Sequence, residues 1–105
     1  MIIVMLITFL IGIEASCLLE LSGCSCPMSP MDVTCAEVGL IRVPRITTRL
    51  RYLRLPFNYI QFITDDDMDI PVSVLDISGQ YVGCVKDYRR QEHAMVVYGL
   101  CDKVG

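Results

Sequence analysis

The chain has 105 residues, of which 53% are hydrophobic and 20% are charged, and its formal net charge is -3. A chain of this length has room for one small core, and its apolar content excludes an intrinsically disordered tail. The acidic balance also excludes general electrostatic binding of nucleic acid, because neutralising phosphates requires a surplus of Lys and Arg.

The N-terminal segment is the most apolar part of the chain. No charged residue occurs before Glu14. A membrane-spanning helix needs about 20 apolar residues, whereas a run of roughly 7 to 15 followed by small residues is typical of a cleaved secretory signal. Residues 1–15 are therefore predicted to be a signal peptide, which implies a secreted or extracellular protein without a membrane span after cleavage. A buried N-terminal helix or strand and an uncleaved anchor are the alternatives.

Six cysteines follow this segment. Their even number in a small exported chain predicts a disulfide framework, but six cysteines allow fifteen pairings. Zinc binding is disfavoured, because one residue separates Cys24 from Cys26 where zinc ligands usually have two to four, and the only histidine, His93, is far along the chain. The cysteines are Cys17, Cys24, Cys26, Cys35, Cys84 and Cys101.

The cysteine-free middle of the chain contains an internal repeat. The segment LRYLRLPFNYI begins at residue 50, and its second copy, VSVLDISGQYV, begins at residue 72. We call this offset of 22 residues the repeat step. The two copies share apolar residues at four positions and a side-chain amide, Asn58 or Gln80, at a fifth. A fainter third copy, which includes Val33, lies upstream of the first. A fixed period of this length indicates a repeat architecture.

The repeat also predicts which side chains are buried. Leu-x-Leu is typical of a short parallel strand whose leucines face the core while the alternate residues face outward. Asn58 is expected to satisfy backbone groups where the chain leaves the strand. The predicted core residues are Val33, Cys35, Leu53, Leu55, Leu75 and Ile77. The predicted outward residues are Thr34, Tyr52, Arg54, Pro56, Val74, Asp76 and Ser78.

The last part of the chain, after the second repeat, has a weaker pattern. Five of its residues follow an imperfect helical period, which predicts a short helix between the last two cysteines. These residues are Val85, Tyr88, Glu92, Met95 and Val96.

The repeats and cysteines together resemble the extracellular leucine-rich repeat family, whose repeat has the pattern L-x-x-L-x-L-x-x-N-x-I/L-x-x-I/L. Residues 50–63 follow this pattern, and residues 24–44, with CSCP and then VTC, are similar to the family's cysteine-rich N-terminal cap. Residues 80–84 resemble the entrance to the family's C-terminal cap. Gln80 stands where the family has asparagine, and Lys86 where it has a second cysteine.

The resemblance implies an α/β-type solenoid: a minimal leucine-rich repeat coil of short parallel strands, with a disulfide cap at each end and a short C-terminal helix. The implied organisation is a signal peptide at 1–15, an N-terminal cap at 16–45, two repeats at 46–82 and a degenerate C-terminal cap at 83–105. The family's pairing, carried over by position, implies the disulfides Cys17–Cys26, Cys24–Cys35 and Cys84–Cys101.

The resemblance further implies a secreted, non-enzymatic module that binds another protein through the outward face of its strands. Tyr and Arg, which both occur on this face, are enriched at interface hot spots. The alternative for Arg54 and Asp76 is that they simply pair as lateral neighbours. Alternative functions are a small structural subunit of a larger extracellular complex and a cysteine-stapled secreted effector peptide. The partner-binding residues implied are Thr34, Tyr52, Arg54, Pro56, Val74, Asp76 and Ser78.

Other chemistries find less support in the sequence. The arginines from Arg42 to Arg54 predict a basic segment able to contact a sulfated glycan, but the acidic run at 65–69 opposes its field. That run lacks the glycine and terminal glutamate of an EF-hand calcium loop. His93 has no nucleophile signature beside it, and the chain has no glycine-rich phosphate loop. We therefore expect no enzyme activity, cofactor or metal.

Overall fold

The computed structural model describes residue 17 and residues 23–90 and 95–102, so the predicted signal peptide at 1–15 lies outside the described residues. Within these ranges the protein is a small fold of mostly parallel strands without an α-helix. A short 3-10 helix covers Asp65–Asp69. No helix in the described ranges has the length and apolar character needed to cross a lipid bilayer. The strands are β1 (Cys24–Ser29), β2 (Asp32–Cys35), β3 (Leu50–Arg54), β4 (Phe62–Ile63), β5 (Val72–Asp76), β6 (Lys86–Asp87) and β7 (Val96–Tyr98).

Five of these strands form one sheet in the order β1-β2-β3-β5-β7. β1 is antiparallel to β2, and β2, β3, β5 and β7 run parallel to one another. Parallel neighbours need a crossover connection, so the chain returns between each pair of these strands. β4 lies in the connection from β3 to β5, and β6 lies in the connection from β5 to β7. Together they form a second, two-stranded parallel sheet.

The register of the parallel strands reproduces the period of the sequence. Leu53 is paired on one side with Leu75, its equivalent in the second copy, and on the other side with Val33 of the fainter upstream copy. β7 lies one further repeat step along the chain, because Leu75 is also paired with Val97. Residues at equivalent positions of the repeat therefore lie side by side across four strands.

The short helix predicted near the C-terminus is wrong for the described part of that segment. Val85 forms an isolated parallel bridge with Leu100, and β6 and β7 account for the other regular structure there. β-Branched and aromatic residues favour strands, and pairing with β5 satisfies the backbone of the Val-Val-Tyr sequence of β7. These preferences outweigh the imperfect helical period. Residues 91–94, which include His93, lie outside the described residues.

The core is one cluster to which both the strands and the returning segments contribute. Ile60 and Ile63, from the return between β3 and β5, are fully buried. Complete burial of one such aliphatic side chain stabilises a fold by about 1.5 to 3 kcal/mol, so this cluster is the main source of stability. The predicted inward residues are confirmed as fully buried: Val33, Cys35, Leu53, Leu55, Leu75 and Ile77.

Three disulfides close the two ends of the structure. Two of them lie in the N-terminal part, where one joins β1 to β2, and the third lies beside the Val85–Leu100 bridge. Disulfides form and persist in oxidising compartments, so three of them indicate that this protein works in such an environment. They are Cys17–Cys26, Cys24–Cys35 and Cys84–Cys101, the pairs that the resemblance implies.

Candidate functional site

The outward side of the parallel strands carries the residues predicted to bind a partner. Strand pairing places Tyr52 beside Val74 and Arg54 beside Asp76, in two adjacent rows. Arg54 and Ser78 are exposed, and the other predicted residues are half-buried. We call this surface the sheet face, and it comprises Thr34, Tyr52, Arg54, Pro56, Val74, Asp76 and Ser78, with Asp32, Val96 and Tyr98 added by the structure.

The addition of β7 extends the sheet face beyond the sequence prediction. Val96 continues the row of Val74, and Tyr98 continues the row of Asp76. Tyr98 is 57% exposed and Val96 is 47% exposed, so apolar surface reaches solvent at this edge of the described sheet. One further repeat step from Asp76 reaches Tyr98, and this step was the signal in the sequence that could have found both residues.

Arg54 and Asp76 are neighbours on the sheet face but do not form an ion pair with each other. The guanidinium of Arg54 lies over the ring of Tyr52, with Cζ 5.0 Å from the ring centroid. Asp76 Oδ1 instead accepts hydrogen bonds from the backbone N–H and the hydroxyl of Ser78, at 3.0 and 2.5 Å. Simple lateral pairing is therefore not the role of these residues. Arg54 and Tyr52 form a combined cationic and aromatic surface that faces solvent.

Asp32 and Arg51 form an ion pair at the β2 side of the sheet face. Nε and Nη2 of Arg51 donate to the two carboxylate oxygens of Asp32, at 3.0 and 2.8 Å. These hydrogen bonds lower the pKa of the Asp32 carboxyl, and the positive charges of Arg51 and Arg54 act in the same direction. The same pairing raises the pKa of Arg51. Asp32 is paired with Tyr52 in the sheet, so this interaction adjoins the Tyr52 and Arg54 surface.

Asn58 holds the turn at which the chain leaves β3. Its side chain is fully buried. Nδ2 donates to the carbonyls of Cys35 and Leu55 at 2.9 and 3.2 Å, and Oδ1 accepts from the amides of Val38 and Leu40 at 3.0 and 3.1 Å. The predicted role of Asn58 in satisfying backbone groups is confirmed.

A second exposed surface lies at the turns that follow β3 and β5. Phe57, Tyr59 and Tyr81, which we call the aromatic turn cluster, have ring centroids 6.0 Å apart for Phe57 and Tyr81 and 5.3 Å apart for Tyr59 and Tyr81. With Glu37 and Gly39 they line an open cleft of about 330 Å³. Sequence reasoning missed this surface. Its signal was the tyrosine at the same repeat position in both copies, Tyr59 and Tyr81.

The basic segment is partly neutralised by acidic residues of the chain itself. Arg42 Nη2 lies 3.3 Å from Asp67 Oδ2, and the Arg42 guanidinium lies over the ring of Phe62. Asp67 also accepts a hydrogen bond from the amide of Thr64 at 2.9 Å. Together with the pairing of Arg51, this contact weakens the field available to a sulfated glycan. Across the described ranges, no three His, Cys, Asp or Glu side chains are grouped so that they could hold a metal ion.

The described surface thus offers two candidate binding regions, the sheet face and the aromatic turn cluster. Each combines exposed aromatic rings with a charged side chain, and aromatic residues and arginine are enriched at the centres of protein interfaces. Comparison with known proteins gives no further indication of function, because no family model, curated protein or solved structure matches this chain.

Proposed function

We propose that this protein is an exported, non-enzymatic chain of the extracellular leucine-rich repeat type, and that it binds another protein through the sheet face. Export is supported by three disulfides together with the apolar N-terminal segment. The repeat assignment is supported by the constant repeat step between β3, β5 and β7 and by the buried amide of Asn58.

The observation that carries the binding proposal is the arrangement of Tyr52, Arg54 and Tyr98 on the sheet face. The Arg54 guanidinium stacks over Tyr52, and Tyr98 is more than half exposed two strands away. A tyrosine ring left in solvent adds little to folding, but it gives a partner a large apolar area and a polar hydroxyl. Tyr and Arg are also the residues that most often dominate binding energy in protein interfaces.

The size of the sheet face sets an expectation for the complex. Neighbouring strands lie about 4.8 Å apart, so the four parallel strands span only about 15 Å. A standard interface buries about 800 Å² on each partner. A partner that contacts this face alone therefore buries less than the standard area, and we expect a transient complex whose affinity depends on a few residues.

Substitution on the sheet face tests the proposal in secreted protein with its disulfides intact. The double variant Tyr52→Ala with Arg54→Glu should weaken capture of a partner identified by crosslinking at least tenfold, because it removes the stacked pair and reverses its charge. Tyr88→Ala with Arg45→Glu is the matched control, since Tyr88 and Arg45 are exposed and lie outside the sheet face. Unchanged capture by the first variant would place the site elsewhere.

Non-reducing peptide mapping of the same secreted material tests the other half of the proposal. Cleavage is expected after Ala15 or Ser16, so the mature chain should begin at Ser16 or Cys17, and the fragments should report the three bridges found in the structure. Retention of residues 1–15 in the mature protein would contradict cleavage by the secretory pathway.

A further inference from the structure

We propose that the aromatic turn cluster and Glu37 form a docking site for an arginine side chain presented by a protein segment. This site shares no residue with the sheet face, so it does not rest on the function proposed above. Four observations support it: the shape of the cleft, its charge, the bonding state of Glu37 and the backbone conformation at Phe57.

The three rings give the cleft a broad aromatic wall. Tyr81 lies between the other two, and its ring plane is inclined by 39° to Phe57 and by 38° to Tyr59. Phe57, Tyr59 and Tyr81 are 51%, 47% and 52% exposed, so each ring has surface free for a ligand. A guanidinium is planar, and it stacks on aromatic faces at about 6 Å or less from a ring centroid. The cleft volume of about 330 Å³ lies at the small end of ligand sites, which suits one side chain rather than a whole domain.

The charge of the cleft selects a cation. Among the described residues that line it, Glu37 is the only charged one, and Gly39 and the aromatic turn cluster make up the rest. The electron-rich ring faces attract positive charge as the carboxylate does. The ligand class that satisfies both attractions is an organic cation.

The bonding state of Glu37 favours arginine over other cations. Glu37 Oε1 accepts the hydrogen bond of the Tyr81 hydroxyl, which fixes the carboxylate against the rings. Oε2 accepts no hydrogen bond from any described residue. A guanidinium presents several N–H donors in one plane, so it can lie on a ring and donate to Oε2 at the same time. An ammonium group is a compact charge that has no flat face to stack.

The backbone at Phe57 adopts a conformation that is costly for a residue other than glycine. Glu37, Phe57 and Gly79 occupy equivalent turns and all have positive φ, at 53°, 56° and 74°. The turns stack directly, because the Phe57 amide donates to the Gly79 carbonyl at 3.0 Å. This left-handed region favours glycine, which the third turn uses. A half-exposed phenylalanine in the second turn has a backbone cost with little burial in return, and binding through its ring gives it a role.

The test is an NMR titration of the full, disulfide-bonded chain with N-acetyl-arginine amide. Saturable shifts should be confined to the amides and rings of Glu37 and the aromatic turn cluster. N-acetyl-citrulline amide has nearly the same shape without the charge, and it should bind at least about fivefold more weakly. N-acetyl-lysine amide should also bind more weakly than the arginine compound.

Variants connect the binding to the proposed contacts. Glu37→Gln and Tyr81→Leu should each weaken binding of N-acetyl-arginine amide by about three- to tenfold. Phe57→Gly should weaken binding while it maintains or raises the unfolding midpoint, because glycine relieves the left-handed backbone.

Tyr88→Leu is the matched control, since Tyr88 is 58% exposed and lies outside the cleft. The Tyr52→Ala, Arg54→Glu variant should bind the probe normally, which separates this site from the sheet face.

Several outcomes would overturn the proposal. Equal affinity for the citrulline compound would show that the positive charge contributes nothing to binding, and tighter binding of the lysine compound would assign a different cation. Tighter binding of free L-arginine than of the blocked compound would replace a protein segment by an amino acid as the source. Dimerisation that Glu37→Gln abolishes in sedimentation experiments would make a second copy of this chain the occupant.

Discussion

Asn58 and Gln80 perform the same structural task in successive turns, although their side chains differ by one methylene. Asn58 Nδ2 donates to the carbonyl of Cys35 at 2.9 Å, and Gln80 Nε2 donates to the carbonyl of Leu55 at 2.6 Å. Each amide oxygen also accepts a hydrogen bond from a backbone amide, as Gln80 Oε1 does from Ile60 at 3.0 Å. The side-chain amide therefore bonds to the preceding turn in both copies, although the first copy has asparagine at this position and the second has glutamine.

Removal of the Asn58 side-chain amide should lower the stability of the fold substantially. Asn58→Ala leaves the carbonyl of Cys35 and the amides of Val38 and Leu40 without their partner. An unsatisfied buried group costs about 1 to 3 kcal/mol, and the two amides are only partly buried, so we expect the free energy of unfolding to fall by at least about 2 kcal/mol in urea titrations. Gln61→Ala, at an exposed side chain, should change it by less than about 0.5 kcal/mol. A loss below about 1 kcal/mol for Asn58→Ala would contradict the assigned role.

Two glycines have the same backbone φ, so replacing each of them by alanine distinguishes the cost of backbone strain from the cost of a steric clash. Gly83 and Gly99 both have a φ of 102°. A methyl group at Gly83 meets open space, whereas at Gly99 it collides with the backbone of Ile77 and Ser78, 2.6 Å from the Ile77 carbonyl carbon and the Ser78 Cα. Gly99→Ala should therefore lower the thermal midpoint far more than Gly83→Ala, which carries only the cost of the left-handed backbone, about 1 to 2 kcal/mol. Equal midpoints would mean that β7 does not pack against the turn after β5.

The disulfide Cys84–Cys101 should hold the edge of the sheet. Replacing both cysteines by serine should destabilise the protein by about 2 to 4 kcal/mol. The amide of Ile77 donates to the Tyr98 carbonyl at 2.9 Å, so its hydrogen exchange should accelerate when β7 detaches. The amide of Leu55, which donates to the Asp76 carbonyl within the core strands, is the internal control and should remain protected. Parallel acceleration at both amides would indicate global rather than edge unfolding.

The pairing of Asp32 with Arg51 predicts a specific acid dependence of stability. Because the folded state lowers the pKa of the Asp32 carboxyl, the contribution of the ion pair to stability is fully present above the ordinary carboxyl pKa of about 4. The contribution is lost as the pH falls through the lowered value. Asp32→Asn should therefore flatten the decline of the unfolding midpoint as the pH falls below about 4. Asp66→Asn, at an exposed side chain, should leave the slope unchanged, and a flattening by both variants alike would argue against the ion pair.

The contact between Tyr81 and Glu37 predicts an alkaline counterpart. Hydrogen bonding to Glu37 raises the pKa of the Tyr81 hydroxyl above its ordinary value of about 10. The stability that this hydrogen bond contributes is fully present below the ordinary pKa of about 10, and it is lost as the pH rises through the raised pKa of Tyr81. In Glu37→Ala the pKa of Tyr81, followed by the resonance of the ring carbon that bears its hydroxyl, should return towards about 10. An identical titration curve in the variant would show that the hydrogen bond is absent in solution.

Much of the core was predictable because its signals are local. The alternate spacing of Leu53 and Leu55 and the repeat step from Leu53 to Leu75 identify inward positions without knowledge of the fold. Asn58 was predictable for the same reason, since an amide after an apolar strand needs backbone partners. β7 was not predicted, because Val96 fits a helical period as well as a strand when its neighbours are unknown. Pairing with β5 removes that ambiguity.

The sequence by itself determined the repeat step, the inward residues and the outward face around Tyr52 and Arg54, because alternation along a strand is a property of adjacent residues. Only the tertiary structure decided that Arg54 stacks on Tyr52 instead of pairing with Asp76, since rotamers depend on every neighbour at once. It also decided that Tyr81 meets Glu37, a residue 44 positions earlier. Such contacts arise from the stacking of separate turns, and their geometry is a property of the folded chain.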